Sequence, residues 1–320
     1  MRRIGRAAAL LGVIVAVNFI LPRLLPGTPL SGGGAESVVL PAGAAAEIRA
    51  IYDLDRPTGE QFTRYLGALA RGDFGRSIAS HRPVGDLLAD RLPRTLWLMG
   101  LALALSVALG GWLGTASLWR PRGAAARLAA PVLVALGALP EALVALLLIV
   151  LLGTKLRWLP AFGASTPFLD RTAPVWLQAA DLLRHAALPS LTLVAALLPA
   201  FLLLSRSVLA PVVSAPYLTV ARGKGLGEGR VLWHAWRNAM PAMLTMLGLR
   251  VAFAVSGAAV VERIFAYPGM GLLLFEAIAR RDYPVMQGVF LVGSAAVIAM
   301  TLVLDLLAAV LDPRLREEAA

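Results

Sequence analysis

Six stretches of the chain stay apolar for long enough to cross a bilayer. A hydrocarbon core about 30 Å thick takes about 20 helical residues at about 1.5 Å each. The stretches are residues 7–25, 95–118, 128–152, 186–205, 241–261 and 285–311. The pattern predicts an all-α polytopic membrane protein with six transmembrane helices. Arg2, Arg3 and Arg6 precede the first stretch, as in a secretory leader. No small-x-small cleavage site follows it; Pro22, Arg23 and Pro26 do, so the stretch reads as a retained span.

Two polar intervals carry patterns of their own. In the first, residues 26–94, Thr58 and Gln61 have capping-box spacing. Phe62, Tyr65, Leu66 and Leu69 then recur on one helical face. Gly72-Asp73-Phe74-Gly75 reads as a turn, and Val84, Leu87 and Leu88 after Pro83 predict a second short helix. The interval therefore reads as a small helical segment on the outer surface, behind a flexible Gly32-Gly33-Gly34 link. The second interval lies between the fourth and fifth stretches. Pro216 suits a helix's first turn, and Gly225, Gly227 and Gly229 break that helix before a second short one. Tyr217, Val220, Ala221, Leu226, Val231 and Leu232 are too apolar for a free loop and call for a cover. A protein partner supplies one; a lipid surface under an amphipathic helix, with Trp233 and Trp236, supplies another.

Composition narrows the class. Of 320 residues, 58% are hydrophobic and 15% charged, against about 45–50% and about 25% in soluble domains. That excludes a disordered chain and argues against a soluble enzyme. With no cysteine, there is no disulfide, thiolate nucleophile or thiolate metal site. The net charge of +11 has no compact basic module behind it, so it reads as membrane topology rather than nucleic-acid binding. With the amino terminus inside, the inner pieces hold thirteen Lys and Arg and the two short outer loops seven. Both termini are therefore expected in the cytoplasm.

The second interval also resembles a known element. Thr219-Val220-Ala221-Arg222-Gly223-Lys224-Gly225 is similar to the E-A-A-x-x-x-G coupling loop of bacterial ABC-transporter permeases, matching it directly at Ala221 and Gly225. The dipeptide/oligopeptide/nickel branch writes T-A-R-A-K-G-L and then H-A-L-R-N-A-x-x-P. Here stand Val220 to Leu226 and His234-Ala235-Trp236-Arg237-Asn238-Ala239-Met240-Pro241, with the proline one residue early. Val260-Val261-Glu262, Pro268-Gly269-Met270-Gly271, Arg281-Asp282-Tyr283-Pro284 and Leu311-Asp312-Pro313-Arg314 resemble later motifs of the branch in order. Pro26-Gly27-Thr28-Pro29, Leu54-Asp55-Arg56-Pro57 and Gly72-Asp73-Phe74-Gly75 resemble its early ones.

The resemblance implies one of two membrane subunits of a binding-protein-dependent importer in the bacterial inner membrane. A second, homologous permease, two ATPase subunits and an extracytoplasmic solute-binding protein would complete it. Di- and oligopeptides are the expected cargo, with nickel or another small solute as the alternative. The chain itself would not be an enzyme; it has no Walker-type loop, and no cofactor is expected. The organisation expected is 1–94 for the first helix and outer segment, 95–312 for a five-helix core with the coupling loop at about 209–240, and 313–320 for a cytoplasmic tail. Tyr217, Val220, Ala221, Arg222, Lys224, Gly225, Leu226 and Gly227 would meet the ATPase, with Ala221 and Gly225 small for close docking. An ion-coupled carrier is the rival class; no inverted repeat supports it.

Two ionisable residues fall inside the stretches. Glu141 follows Pro140 in the third and Arg250 lies in the fifth. Such groups are costly in lipid and usually face a cavity or a partner. They are candidates for the translocation path, paired or contacting the solute. Asp305, near the cytoplasmic end of the sixth stretch, reads as helix-packing or interface polarity. Gly110 and Gly114 form a G-x-x-x-G spacing that lets two helices approach closely. His81, His185 and His234 are scattered without metal-ligand spacing and read as loop or capping residues. No acid completes a triad with Ser190 and His185.

Overall fold

The computed structural model describes residues 12–20, 56–119, 124–167 and 173–311, without the side chains of 124–130, 241–242, 244–246, 248–256, 305 and 308–311. Helices form every regular element among them, apart from an isolated bridge between Arg76 and Pro83. In chain order they are α1 (residues 12–20), α2 (Thr58–Ala70), α3 (Val84–Trp119), α4 (Ala124–Gly137), α5 (Glu141–Leu148), α6 (Val175–Val213), α7 (Pro216–Gly223), α8 (Glu228–Ile264), α9 (Met270–Arg280) and α10 (Tyr283–Leu311). A π-helical stretch, Ile149–Lys155, continues α5.

Among the described residues, three helices are long and apolar enough to span a membrane: Val84–Trp119, Val175–Val213 and Tyr283–Leu304. A further apolar pair of helices, a broken span or a re-entrant loop, is sharply bent. Pro131–Gly137 and Glu141–Lys155 meet at 102°, where the hydropathy had predicted one helix over 128–152. Pro140 brings no N–H and pushes Leu139 out of the helical region, so α4 stops and α5 restarts. The first expected span lies mostly outside the described residues, as do the expected motifs at 26–29 and 312–314 and the flexible link.

Other elements differ from expectation for local reasons. The short helix expected after Pro83 is the start of α3, which runs unbroken for 36 residues through Pro93. The capping box is not formed. Thr58 is already helical, Pro57 occupies the cap position without a side-chain bond, and Gln61 Nε2 donates instead to the Arg56 carbonyl at 2.9 Å. The turn at Gly72–Gly75 is present, with the Gly75 amide donating to Asp73 Oδ1 at 2.8 Å. Helix α9 went unread; its buried Met270, Leu273 and Ala277 repeat on one face over only eleven residues.

The chain divides into two compact units, Met1–Thr95 with Pro268–Ala296, and Leu96–Tyr267 with Val297–Ala320. In the first, Val84, Leu87 and Leu88 pack with Met270, Leu273, Ala277, Val285, Met286 and Val289. A buried acid fastens one corner. The Ser77 hydroxyl (2.5 Å) and the Ala79 amide (3.1 Å) both donate to Asp282 Oδ2, and Asp282 is 2% exposed. Asn18 Nδ2 of α1 donates to the Gln287 carbonyl at 2.7 Å. Phe19 meets Phe62 of α2 edge-on and Tyr65 at a tilt.

The second unit is built around α6. Of its most apolar stretch 56% is buried, against 28% in α3 and in α10, so α6 is the central helix and the others leave apolar side chains outward. Leu98, Ala102, Ala145, Leu188, Leu193, Ala258, Val261 and Phe265 form its core. The G-x-x-x-G spacing works as expected. A Cβ on Gly110 would lie 2.9 Å from the Leu202 amide nitrogen, and one on Gly114 would lie 2.8 Å from the Leu202 carbonyl oxygen. Backbone meets backbone where α3 crosses α6.

Candidate functional site

The loop between α6 and α8 is an ordered elbow. Helix α7 starts with Pro216 in its first turn and ends in a six-residue hydrogen-bonded turn. The Gly225 amide donates to the Arg222 carbonyl at 2.9 Å and the Leu226 amide to the Ala221 carbonyl at 3.2 Å. This Schellman arrangement needs a left-handed residue at its penultimate position, and Gly225 supplies φ +78°. A Cβ on Gly225 would meet nothing within 4 Å. Its own backbone conformation therefore accounts for this glycine, a reason the docking expectation did not include. Gly227 caps α8 in an extended conformation. Gly229 does not break a helix; it lies inside α8, which is a 37-residue helix rather than a second short one.

The elbow has two faces. Leu218 and Val231 are fully buried with Leu209, Ala235 and Ala239, and Ala221 and Leu226 pack against them. The chain thus covers for itself half of what the sequence had assigned to an outside partner. Tyr217 (40%), Val220 (56%) and Trp233 (60%) stay exposed. Lys224 is exposed as well. Burying one face fixes how the other is presented, because a helix surface separates residues by their turn position.

Arg222 does not stand on that outer face alone. Its Nε donates to Glu228 Oε1 at 2.9 Å, and its guanidinium lies 5.1 Å from the centre of the Trp119 ring. The Arg222 hydrogen bond holds the Glu228 carboxyl below its ordinary range, with Trp119 as a further donor. Solvent screens an ion pair with side chains 40% and 60% exposed, so it orients the elbow more than it stabilises it. Trp119 and Glu228 were missed in the sequence. Only the six-residue step from Arg222 to Glu228 hinted at one of them.

The second constellation is at the broken crossing. Glu141 is the first residue of α5, where a negative charge suits the helix dipole. Its carboxylate is seated on α8: a Cβ on Gly257 would lie 2.6 Å from both oxygens. Gly257 escaped the sequence reading, since nothing in its neighbourhood pairs it with position 141. The Arg250 side chain lies outside the described residues, as does that of Asp305. By register Arg250 is seven residues before Gly257, on the same face of α8 and about 10 Å away along its axis.

His81 lies in a loop as expected, and the other two histidines depart from expectation. His185 is a buried helical residue on α6, its Nδ1 3.0 Å from the Asp181 carbonyl, and His234 is an exposed residue of α8; neither is in a loop. Among the described residues no group of three or more His, Asp or Glu could hold a metal.

Known proteins converge on the same assignment. Residues 100–317 match the family described as binding-protein-dependent transport system inner membrane component. A protein named as a peptide permease from Brucella ovis is 36% identical over 312 residues, covering 96% of each chain. The glutathione transport system permease protein of Salmonella paratyphi A is 37% identical over 320 residues, covering 98% of this chain and 97% of its own. Its counterpart in Escherichia coli K12 is 36% identical over 309 residues. With a family match over most of its length and relatives aligned nearly end to end, this chain belongs to the inner membrane components of binding-protein-dependent transport systems.

Proposed function

We propose that the chain is one of two membrane subunits of an ATP-driven importer of short peptides. A different homologous permease, two ATPases on the cytoplasmic side and an extracytoplasmic binding protein complete the assembly. Relatives named for peptide and for glutathione, itself a tripeptide, support that cargo. Six crossings with both termini in the cytoplasm follow from the hydropathy and the excess of basic residues inside. That topology puts the segment around α2 outside and the elbow inside. The organisation 1–94, 95–312 and 313–320 is retained on the same grounds.

ATP hydrolysis then belongs to the partners, and this chain converts their closure into movement. Helix α7 is the contact. Tyr217, Val220 and Lys224 face the ATPase; Ala221, Leu226, Gly225 and Gly227 shape the elbow; Arg222 braces it through Glu228. Packed elements switch between arrangements rather than deform continuously, so a force on Val220 reaches α6 and α8 through Leu218 and Val231. The translocation path runs past Glu141, with Arg250 on the facing stretch of α8. The observation that carries this reading is the elbow's division into a locked inner face and an apolar exposed one.

Because the chain has no cysteine, single introduced thiols report contacts cleanly. Val220→Cys should crosslink to the ATPase in the assembled complex, and the buried Leu218→Cys should not. Val220→Asp should leave the subunit inserted while uptake into proteoliposomes stops. Failure of Val220→Cys to capture an ATPase, together with full uptake by Val220→Asp, would overturn the reading.

A further inference from the structure

A polar concavity of the second unit lies at the end of α6 opposite the elbow. A cleft of about 350 Å³ opens between the strand of chain after the π-helical stretch and the first turns of α6. Arg157, Trp158, Thr166, Asp181, Arg184 and His185 line it. Its size is at the lower end of ligand pockets, enough for a dipeptide.

The cleft is held in shape from below. The Thr166 amide and hydroxyl donate to the two Asp181 oxygens at 2.8 and 2.5 Å. His185, only 6% exposed, has Nδ1 3.4 Å from Asp181 Oδ1. The Trp158 amide donates to the Leu152 carbonyl at 2.9 Å, and the Gly163 amide to the Phe265 carbonyl at 3.0 Å. Arg157 sits among these tethers at φ +52°, a left-handed conformation that non-glycine residues disfavour. Such a conformation persists only where its surroundings impose it.

Thr166 donates to both oxygens of the acid, which His185 and Arg184 also attract, and the two guanidinium groups are the cleft's exposed charged chemistry. Arg157 and Arg184 are exposed, and against one carboxylate they leave the lining net positive. Trp158, 64% exposed, offers an apolar plate beside them. Planar guanidinium pairs recognise a carboxylate through paired N–H donors, and an indole face covers the flat group attached to it.

We propose that this cleft receives the terminal carboxylate of a short peptide. Arg157 and Arg184 grip the carboxylate, and Trp158 covers the adjoining peptide unit. In the topology given above the cleft faces outward, where solute arrives, so the proposal rests on that reading and names a stopping place on the route inward.

The test uses the full chain with its partner permease and ATPases in lipid nanodiscs, without binding protein. The probes are Ala-Ala and its carboxyl-terminal amide. Equilibrium dialysis should show Ala-Ala bound about tenfold more tightly than the amide, the size expected of a charge-assisted pair. The double replacement Arg157→Gln with Arg184→Gln should erase that preference. A thiol at Trp158→Cys should be shielded from a labelling reagent by Ala-Ala and not by the amide. Equal binding of acid and amide, or a preference that survives loss of both arginines, overturns the proposal. So does a result in which, in a parallel assay with binding protein added, the arginine replacements weaken only its capture; the face would then dock a protein. ATP-driven uptake is measured separately. Acid preference without uptake sinks the importer reading alone, and uptake without acid preference sinks the cleft alone.

Discussion

The chain is turned sharply in two places within one unit, and the two turns are built on opposite principles. At the elbow, α7 stops because its backbone closes on itself. Two main-chain hydrogen bonds, a left-handed Gly225 and the Arg222–Glu228 pair complete the turn between Ala221 and Glu228. At the broken crossing, α4 stops because Pro140 cannot continue it, and no side-chain cap bond marks the restart. What meets the new helix end there is remote: Gly257, more than a hundred residues later, receives Glu141. A turn that satisfies itself keeps its shape when neighbours move. A turn seated on another helix changes when that helix does. In the reading proposed above, the first would receive force and the second would respond to it.

The bend should be the more sensitive of the two. Gly257→Val places carbon where the Glu141 carboxylate now sits, and overpacking of this kind costs about 1–3 kcal/mol. Thermal unfolding in detergent should fall accordingly, and uptake about tenfold or more, equivalent to ~1.4 kcal/mol. Adding Glu141→Ala should restore the unfolding temperature without restoring uptake, which separates the seat from the path. If the double variant gains nothing, the contact does not shape the bend.

At the elbow the effect should be smaller and depend on backbone alone. Gly225→Val should lower stability by about 1–2 kcal/mol, the cost of a left-handed non-glycine residue. Gly225→Asn, which tolerates that region, should cost less and retain uptake. Since no atom stands near the missing Cβ, equal damage from Asn and Val would point to an outside surface pressing on this position.

The smallest effect is a titration. The Glu228 carboxyl is held below its ordinary range chiefly by the Arg222 hydrogen bond. A lowered folded value means that the pair contributes above the unfolded carboxyl's range and is lost as pH falls through the folded value. Arg222→Gln should move the Glu228 carbon resonance titration upward, toward the usual range, and shift the acid limit of elbow order with it. An unmoved titration would mean that Arg222 does not set it.

These two turns also separate what the sequence disclosed from what it hid. The elbow was legible in outline because its signals are local: Pro216 to open, a glycine to close, apolar residues at helical spacing. Its split into two faces was not, since Leu209, Ala235 and Trp119 come from outside the loop. The broken crossing was hidden by counting hydropathy, which is continuous over 128–152. Yet Gly137, Pro140 and Glu141 spell a helix stop followed by a start: a terminal glycine, a proline at the cap, an acid in the first turn. Pro189, Pro199 and Pro211 lack that combination, and α6 runs through all three. The stretch 285–311 came out within two residues of α10, whereas α6 runs past its stretch of 186–205 at both ends. Helix α9 and the seat at Gly257 depend on tertiary neighbours that one sequence does not name.

The corner at Asp282 has a consequence for how the protein is made. Ser77 and the acid that holds it are 205 positions apart. At about 5–20 residues per second of synthesis, the early segment leaves the ribosome roughly 10–40 s before its anchor exists. Until then its buried polar groups have no home, so the nascent chain must be kept open at one edge while the intervening helices are made. A chain truncated before Asp282 would be left with an unlatched beginning.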